Sequence, residues 1–189
     1  VIPAAAAQEI AARCDAGKLD LERLKRETEV VGYPILPLVR QLAAQCGEAG
    51  RYLHWGATTQ DIMDTAVVLP LREALALLGA DLEELRGILA RQARRYRDTP
   101  MAGRTHLQQA LPITFGYKVA IWLSGLTAAA ERLRYVAKNS IALQFGGAAG
   151  TLAALGDDGA KVRAALAEKL ELEEAPISWH PERGRIFDI

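Results

Sequence analysis

The sequence predicts an all-α fold, and three observations predict it. Leu71, Leu75, Leu78, Leu82, Leu85 and Leu89 alternate spacings of four and three, with Tyr96 one heptad beyond, which is the seam of a long helix. From Ile113 to Gln144 a second long pattern is helical, with Val119, Trp122, Leu126, Leu133 and Ala137 on one face. No stretch alternates apolar and polar residues as a strand would; short runs such as Val67–Leu69 sit inside helical periods.

The elements follow in order. Val1–Cys14 is Ala-rich, with Pro3 in a first-turn position, and is expected to be helical. Asp20 is placed to cap a helix over Leu21–Val30, which Gly32-Tyr33-Pro34 breaks. Ile35–Cys46 reads as a further short amphipathic helix, closed by Gly47. These short pieces imply a compact N-terminal helical domain over 1–57, followed by an incomplete long-helix bundle over 58–189. Thr58 or Thr59 caps the leucine-seam helix, and Asp61 suits its positive N-terminal end. Pro70 is expected to kink that helix, and Thr99-Pro100 to end it.

Between Val119 and Ala130 nearly every residue is apolar, so this helix, Trp122 included, is expected to be buried on most sides. A helix from Ile113 to Gln144 would be roughly 48 Å long. Two such antiparallel helices need a larger bundle, and further subunits, to cover them. Phe145–Gly156 is Gly-rich but has neither a Walker lysine nor the strand of a dinucleotide fingerprint; it is either a flexible connection or a segment that approaches a ligand. Asp157–Leu170 is another helix. In Ser178–Ile189, His180 reads as a loop residue; Arg94-Arg95 reads as a solvated helix face.

Bulk properties bound the function. The 189 residues make one ordinary domain, or a small domain with part of a larger one. Lys and Arg together number 23, and Asp and Glu 23, so no basic or acidic surplus marks a nucleic-acid or membrane partner. No apolar run spans a bilayer and no secretory leader pattern is present, which points to a cytoplasmic protein. Cys14 and Cys46 fit no metal spacing and are expected to be reduced core residues. His54, His106 and His180 are too widely spaced for a helical zinc site, so no metal is expected, and no organic cofactor is implied.

The residues with chemistry concentrate in Met101–Pro112, between the two long helices. His106 is the group there that titrates near neutrality. Arg104 and the Thr105 hydroxyl can hold a carboxylate, and Gly103 lets backbone approach a ligand closely. The alternative is a polar interhelical loop in which Arg104 forms a surface ion pair and His106 caps a helix.

Gly103-Arg104-Thr105-His106-Leu107-Gln108, followed by Ala110 and Pro112, resembles the second conserved region of the fumarase/aspartase superfamily. His54-Trp55-Gly56-Ala57-Thr58-Thr59-Gln60-Asp61 resembles its first, H-x-G-x-T-S-x-D. The resemblance runs through essentially the whole chain. Within the superfamily the details are most similar to the 3-carboxy-cis,cis-muconate cycloisomerase branch: Pro34–Val39 resembles N-P-x-I-P-L-V, Arg51–Thr58 resembles R-Y-V-H-W-G-A-T, and Gln144–Leu152 resembles Q-F-G-G-A-A-G-T-L. Some positions depart. Many bacterial cycloisomerases carry Trp at His106, and the branch's W-H-T-Q-R-D-R stands here as Trp179-His180-Pro181-Glu182-Arg183-Gly184-Arg185, which leaves the roles of Glu182, Arg183 and Arg185 open.

The resemblance implies acid/base addition or elimination across a bond next to a carboxylate, on a di- or tricarboxylate, in the degradation of aromatic compounds. It implies His106 as the general acid or its partner. By the same resemblance His54, Thr58, Thr59, Arg104, Thr105 and Gln108 are substrate-binding residues, with the threonine hydroxyls as carboxylate donors. An adenylosuccinate-lyase-like C–N lyase releasing fumarate is the second reading, and a helical oligomerisation scaffold the third. The superfamily's third motif, a G-S-S-x-M-P-x-K-x-N-P loop that supplies the base, is absent from these residues. Its active sites are shared among subunits of a homotetramer. The chain therefore resembles the front part of an enzyme, and a chain ending at Ile189 is expected not to turn over.

Overall fold

The computed structural model describes residues 2–189; Val1, where the first helix was expected to begin, lies outside them. In chain order the elements are α1 (Ala4–Arg13), α2 (Leu21–Val31), α3 (Ile35–Gln45), α4 (Thr59–Arg95), β1 (Pro100–Thr105), β2 (Gln108–Thr114), α5 (Phe115–Asn139), β3 (Ala142–Leu143), α6 (Gly159–Leu170), β4 (Glu173–Glu174) and α7 (Gly184–Phe187). The fold is all-α, with short strands only. No helix among the described residues is long and apolar enough to cross a membrane.

The chain packs as two compact units. One runs up to Leu69 and takes in Ala142–Gly184; the other is Pro70–Ile141 with Arg185–Ile189. This grouping differs from a division at Ala57: the segment after α5 packs with the first motif and with the start of α4, at Asp61, Asp64 and Thr65.

In the first unit the expected caps form. The Asp20 carboxylate accepts the Arg23 N–H at 2.8 Å, and Gly32 closes α2 in the left-handed region at φ 89°. Two glutamines of α3 clamp the preceding turns. The Gln45 amide accepts from the Asp15 N–H at 2.8 Å and donates to the Asp15 carbonyl at 3.1 Å, and Gln41 does the same at Asp20. Cys46, Val68, Ala142, Leu143 and Trp179 are buried at the core of this unit, and β3 pairs with β4 in parallel.

The second unit corrects three expectations. Met101–Pro112 is not a loop: β1 and β2 form an antiparallel hairpin. Its strands lie largely exposed, so neither face imposes the period-2 pattern that signals a strand, and its turn, His106-Leu107, lacks glycine. Consequently α5 starts at Phe115 rather than Ile113 and ends at Asn139, which makes it about 38 Å long. Nor is α5 buried on most sides. Its buried residues are Gly116, Val119 and Ala130, while Trp122 is 48% exposed, with the Lys118 ammonium 5.3 Å from its ring centre. The chain supplies too few neighbouring elements to cover that apolar face. Leu78 and Leu85 of the α4 seam are also exposed. Helix α4 continues through Pro70 as one element.

Backbone contacts fix how the hairpin joins its helices. The Phe115 N–H donates to the Thr99 carbonyl and the Gly116 N–H to the Tyr96 carbonyl, both at 2.9 Å. A Cβ on Gly116 would sit 2.5 Å from the Ala93 oxygen and 2.7 Å from Arg97 Cα, all backbone atoms that cannot rotate away. Gly116→Ala is therefore expected to destabilise this unit by about 1–3 kcal/mol, read as a lower urea midpoint by circular dichroism.

Candidate active site

In the first unit the first motif is organised by a buried carboxylate. Asp61 stands in the first turn of α4 and is 1% exposed. Its Oδ1 accepts from Gln144 Nε2 and the Gly146 N–H, and its Oδ2 from the Thr58 and Gly147 N–H groups, each at 2.9 Å. A buried charge is costly unless its lone pairs are met, and here four donors and a helix N-terminus meet them. Phe145, Gly146 and Gly147 are buried, so this start of the Gly-rich stretch is not a flexible connection. A side chain does not fit: a Cβ on Gly146 would lie 2.2 Å from Ser178 Oγ, and one on Gly147, whose φ is 70°, 2.9 Å from the Gly56 oxygen.

Gln144 carries the network onward. Its Oε1 accepts the Trp179 N–H at 2.7 Å, and its Nε2 donates to Ser178 Oγ at 2.8 Å as well as to Asp61. Its backbone pairs with the Thr65 hydroxyl in both directions, at 2.9 and 3.2 Å. Ser178 Oγ lies 2.8 Å from His180 Nδ1. One turn beyond Asp61, the Asp64 carboxylate accepts from Gln60 Nε2 at 2.8 Å and Arg183 Nη1 at 2.7 Å. That hydrogen bond first, and the Asp64 charge with it, raise the Arg183 pKa. One ion pair thus holds Arg183 against Asp64. Glu182 folds back to accept the Gly184 N–H at 2.7 Å, and Arg185 donates to the Asn139 carbonyl.

His54, Thr58 and Thr59 all lie in this first unit and are half-buried. His54 adopts φ 64°, a strained value for a non-glycine residue. Burial lowers its pKa, against the opposing charge of Asp61. A histidine with a depressed folded pKa binds protons more readily when unfolded. Stability is therefore expected to fall as pH drops through the ordinary histidine value near 6.5 and to level off below the folded value. Urea midpoints across pH 5–8 check this, with His54→Gln flattening the slope.

The second unit presents the other motif. The register pairs Thr105 with Gln108 and Arg104 with Gln109, leaving His106 and Leu107 as the hairpin turn. Arg104, Thr105, His106 and Gln108 are all exposed. Leu107 is 93% exposed and takes φ 56°, which costs roughly 1–2 kcal/mol for a residue with a Cβ. Gly103 is buried, and a Cβ there would meet the Leu111 oxygen at 2.5 Å. Its close approach is thus to its own partner strand, at the irregularity between Ala102 and Arg104, rather than to a ligand. The hairpin lifts a cation, a hydroxyl, an imidazole and an amide clear of the helices on a two-stranded support.

A family model described as "Lyase" matches residues 4–185. The chain belongs to this lyase family, of the fumarase/aspartase superfamily. The chain is 48% identical over 193 residues to 3-carboxy-cis,cis-muconate cycloisomerase of Pseudomonas aeruginosa, covering 100% of this chain and 42% of that protein. It is 44% identical over 190 residues to trans-aconitate decarboxylase 1 of Mycosarcoma maydis, covering 100% of this chain and 38% of that protein. A crystal structure of fumarate lyase from Mesorhizobium sp. BNC1 superposes with a TM-score of 0.92 at 54% identity, covering 98% of this chain and 44% of that one. The chain thus spans about two-fifths of the length of these relatives.

Sequence reasoning placed Asp61 at a helix terminus but missed its link to the Gly-rich stretch, and it missed Gln144 and Ser178 altogether. The sequence shows only the types: an Asp in the first turn of a helix can accept and a Gln near a Gly-Gly pair can donate, but nothing in it says that the two meet across 83 residues.

Proposed function

We propose that the protein carrying this chain lactonises 3-carboxy-cis,cis-muconate. The observation that carries this reading is the 48% identity, along the whole chain, to a cycloisomerase of that name. In the reaction a carboxylate oxygen of the substrate bonds to one alkene carbon. The π electrons move to the neighbouring carbon, beside a carboxylate, and that carbon takes a proton. The substrate supplies its own nucleophile. What the protein must supply is a proton donor and fixed donors for the remaining carboxylates.

His106 is the proton donor in this account. Arg104 offers two parallel N–H groups to one carboxylate, and the hydroxyls of Thr58, Thr59 and Thr105 donate to carboxylate oxygens. His54 and Gln108 complete the contacts. The uncovered apolar faces of α4 and α5 support assembly with further subunits, which this reading takes as a homotetramer with shared sites; a cytoplasmic location is part of the same reading. The apolar faces fit a scaffold equally well, but the exposed Arg104, Thr105 and His106 on the hairpin favour an enzyme.

A fumarate-releasing C–N lyase is the second reading, favoured by 54% identity to a protein called fumarate lyase. The full-length gene product offered 3-carboxy-cis,cis-muconate and adenylosuccinate in separate cuvettes distinguishes the two. The first reading expects turnover of the muconate alone; turnover of adenylosuccinate alone installs the second.

A further inference from the structure

We propose that His180 is a substrate-carboxylate-binding residue of the first unit, presenting its Nε2–H as donor, with Ser178, Gln144 and Asp61 as the residues that position it and fix its tautomer. The inference follows from donor and acceptor bookkeeping along one chain of side chains. It rests on the carboxylate chemistry proposed above.

The Gln144 amide has only one orientation open to it. Its Oε1 must face the Trp179 N–H at 2.7 Å, because a backbone N–H can only donate. Its Nε2 therefore faces Asp61 Oδ1 at 2.9 Å and Ser178 Oγ at 2.8 Å, and these two bonds use both amide hydrogens. The His180 Nδ1 is also within 3.3 Å of Nε2, farther than either. Ser178 Oγ, already accepting from Gln144, has its own hydrogen to give, and His180 Nδ1 lies 2.8 Å away. Among the described residues no other acceptor faces that hydrogen, so it is assigned to Nδ1, which in the neutral ring places the proton on Nε2. Among the described residues, no hydrogen bond engages that Nε2–H.

The ring is also well placed. His180 is half-buried, and its Cε1 lies 3.5 Å from where a Cβ on Gly150 would be. The same Gly-rich stretch rests on the first motif at Gly56, through Gly147. The buried anchor Asp61 holds Thr58, Gly146 and Gly147 as well as Gln144. One carboxylate thus sets the start of α4, the Gly-rich stretch and the orientation of the imidazole together.

The test uses the full-length protein. Solid-state 15N spectra of histidine-labelled protein, recorded on the neutral rings and with the signal assigned by its loss in His180→Gln, are expected to show the Nε2–H tautomer, a preference that Ser178→Ala abolishes. Calorimetry with tricarballylate, an unreactive tricarboxylate, is expected to show affinity roughly 10- to 100-fold weaker in His180→Ala, partly restored in His180→Gln, whose amide reaches the Nε2 position. With turnover, the same loss falls on KM rather than kcat. An Nδ1–H tautomer overturns the proposal. So does equal affinity, or none, for tricarballylate in wild type and His180→Ala. If the muconate is not turned over but the tautomer and tricarballylate results hold, the substrate assignment fails and the role of His180 stands.

Discussion

Asp61→Asn is expected to destabilise the first unit by about 2–6 kcal/mol, although it changes one oxygen to nitrogen. Each carboxylate oxygen accepts from two buried donors, all at 2.9 Å. An amide keeps one oxygen. Whichever way it turns, its NH2 faces two N–H donors that have lost their acceptor, at about 1–3 kcal/mol each. The Asp61 charge is lost from the helix start as well. Against the roughly 5–15 kcal/mol that holds a domain together, this is a large fraction. Urea unfolding followed at a buried tryptophan such as Trp179 measures it. A midpoint within experimental scatter of wild type would mean that the Gly-rich stretch is held by something other than Asp61.

His106→Ala is expected to do the opposite: leave stability unchanged and remove activity. The side chain is exposed at a hairpin turn, so truncating it opens no cavity and orphans no buried group. If His106 delivers the proton in the addition, its loss costs roughly 10²–10⁴-fold in kcat. Unfolding midpoint and kcat measured on the same preparation give the contrast. A destabilised but active variant would mark His106 as a structural turn residue.

The helices of this fold were legible because their signals are local. The Asp20 cap, the Gly32 stop and the leucine seam each act within a few residues. The hairpin was not legible, since its pairing leaves Arg104, Thr105 and Gln108 exposed and imposes no alternation. The exposure of Trp122 was not legible either. An apolar helix face looks the same in sequence whether its own chain or another covers it. Of the candidate site, the residue types could be found from the two motifs. The network of Asp61, Gln144, Ser178 and His180 could not, because its key bonds join positions 83 and 34 residues apart. Long-range hydrogen bonds leave no periodic trace.

The central claim is that this chain contributes to a site for acid-assisted addition beside a carboxylate. Its most direct test is to follow the absorbance of 3-carboxy-cis,cis-muconate with the full-length gene product and to identify the product by NMR. The account predicts loss of the conjugated absorbance and formation of the lactone. Unchanged absorbance at enzyme concentrations that saturate the substrate, from a folded and correctly assembled protein, would contradict it.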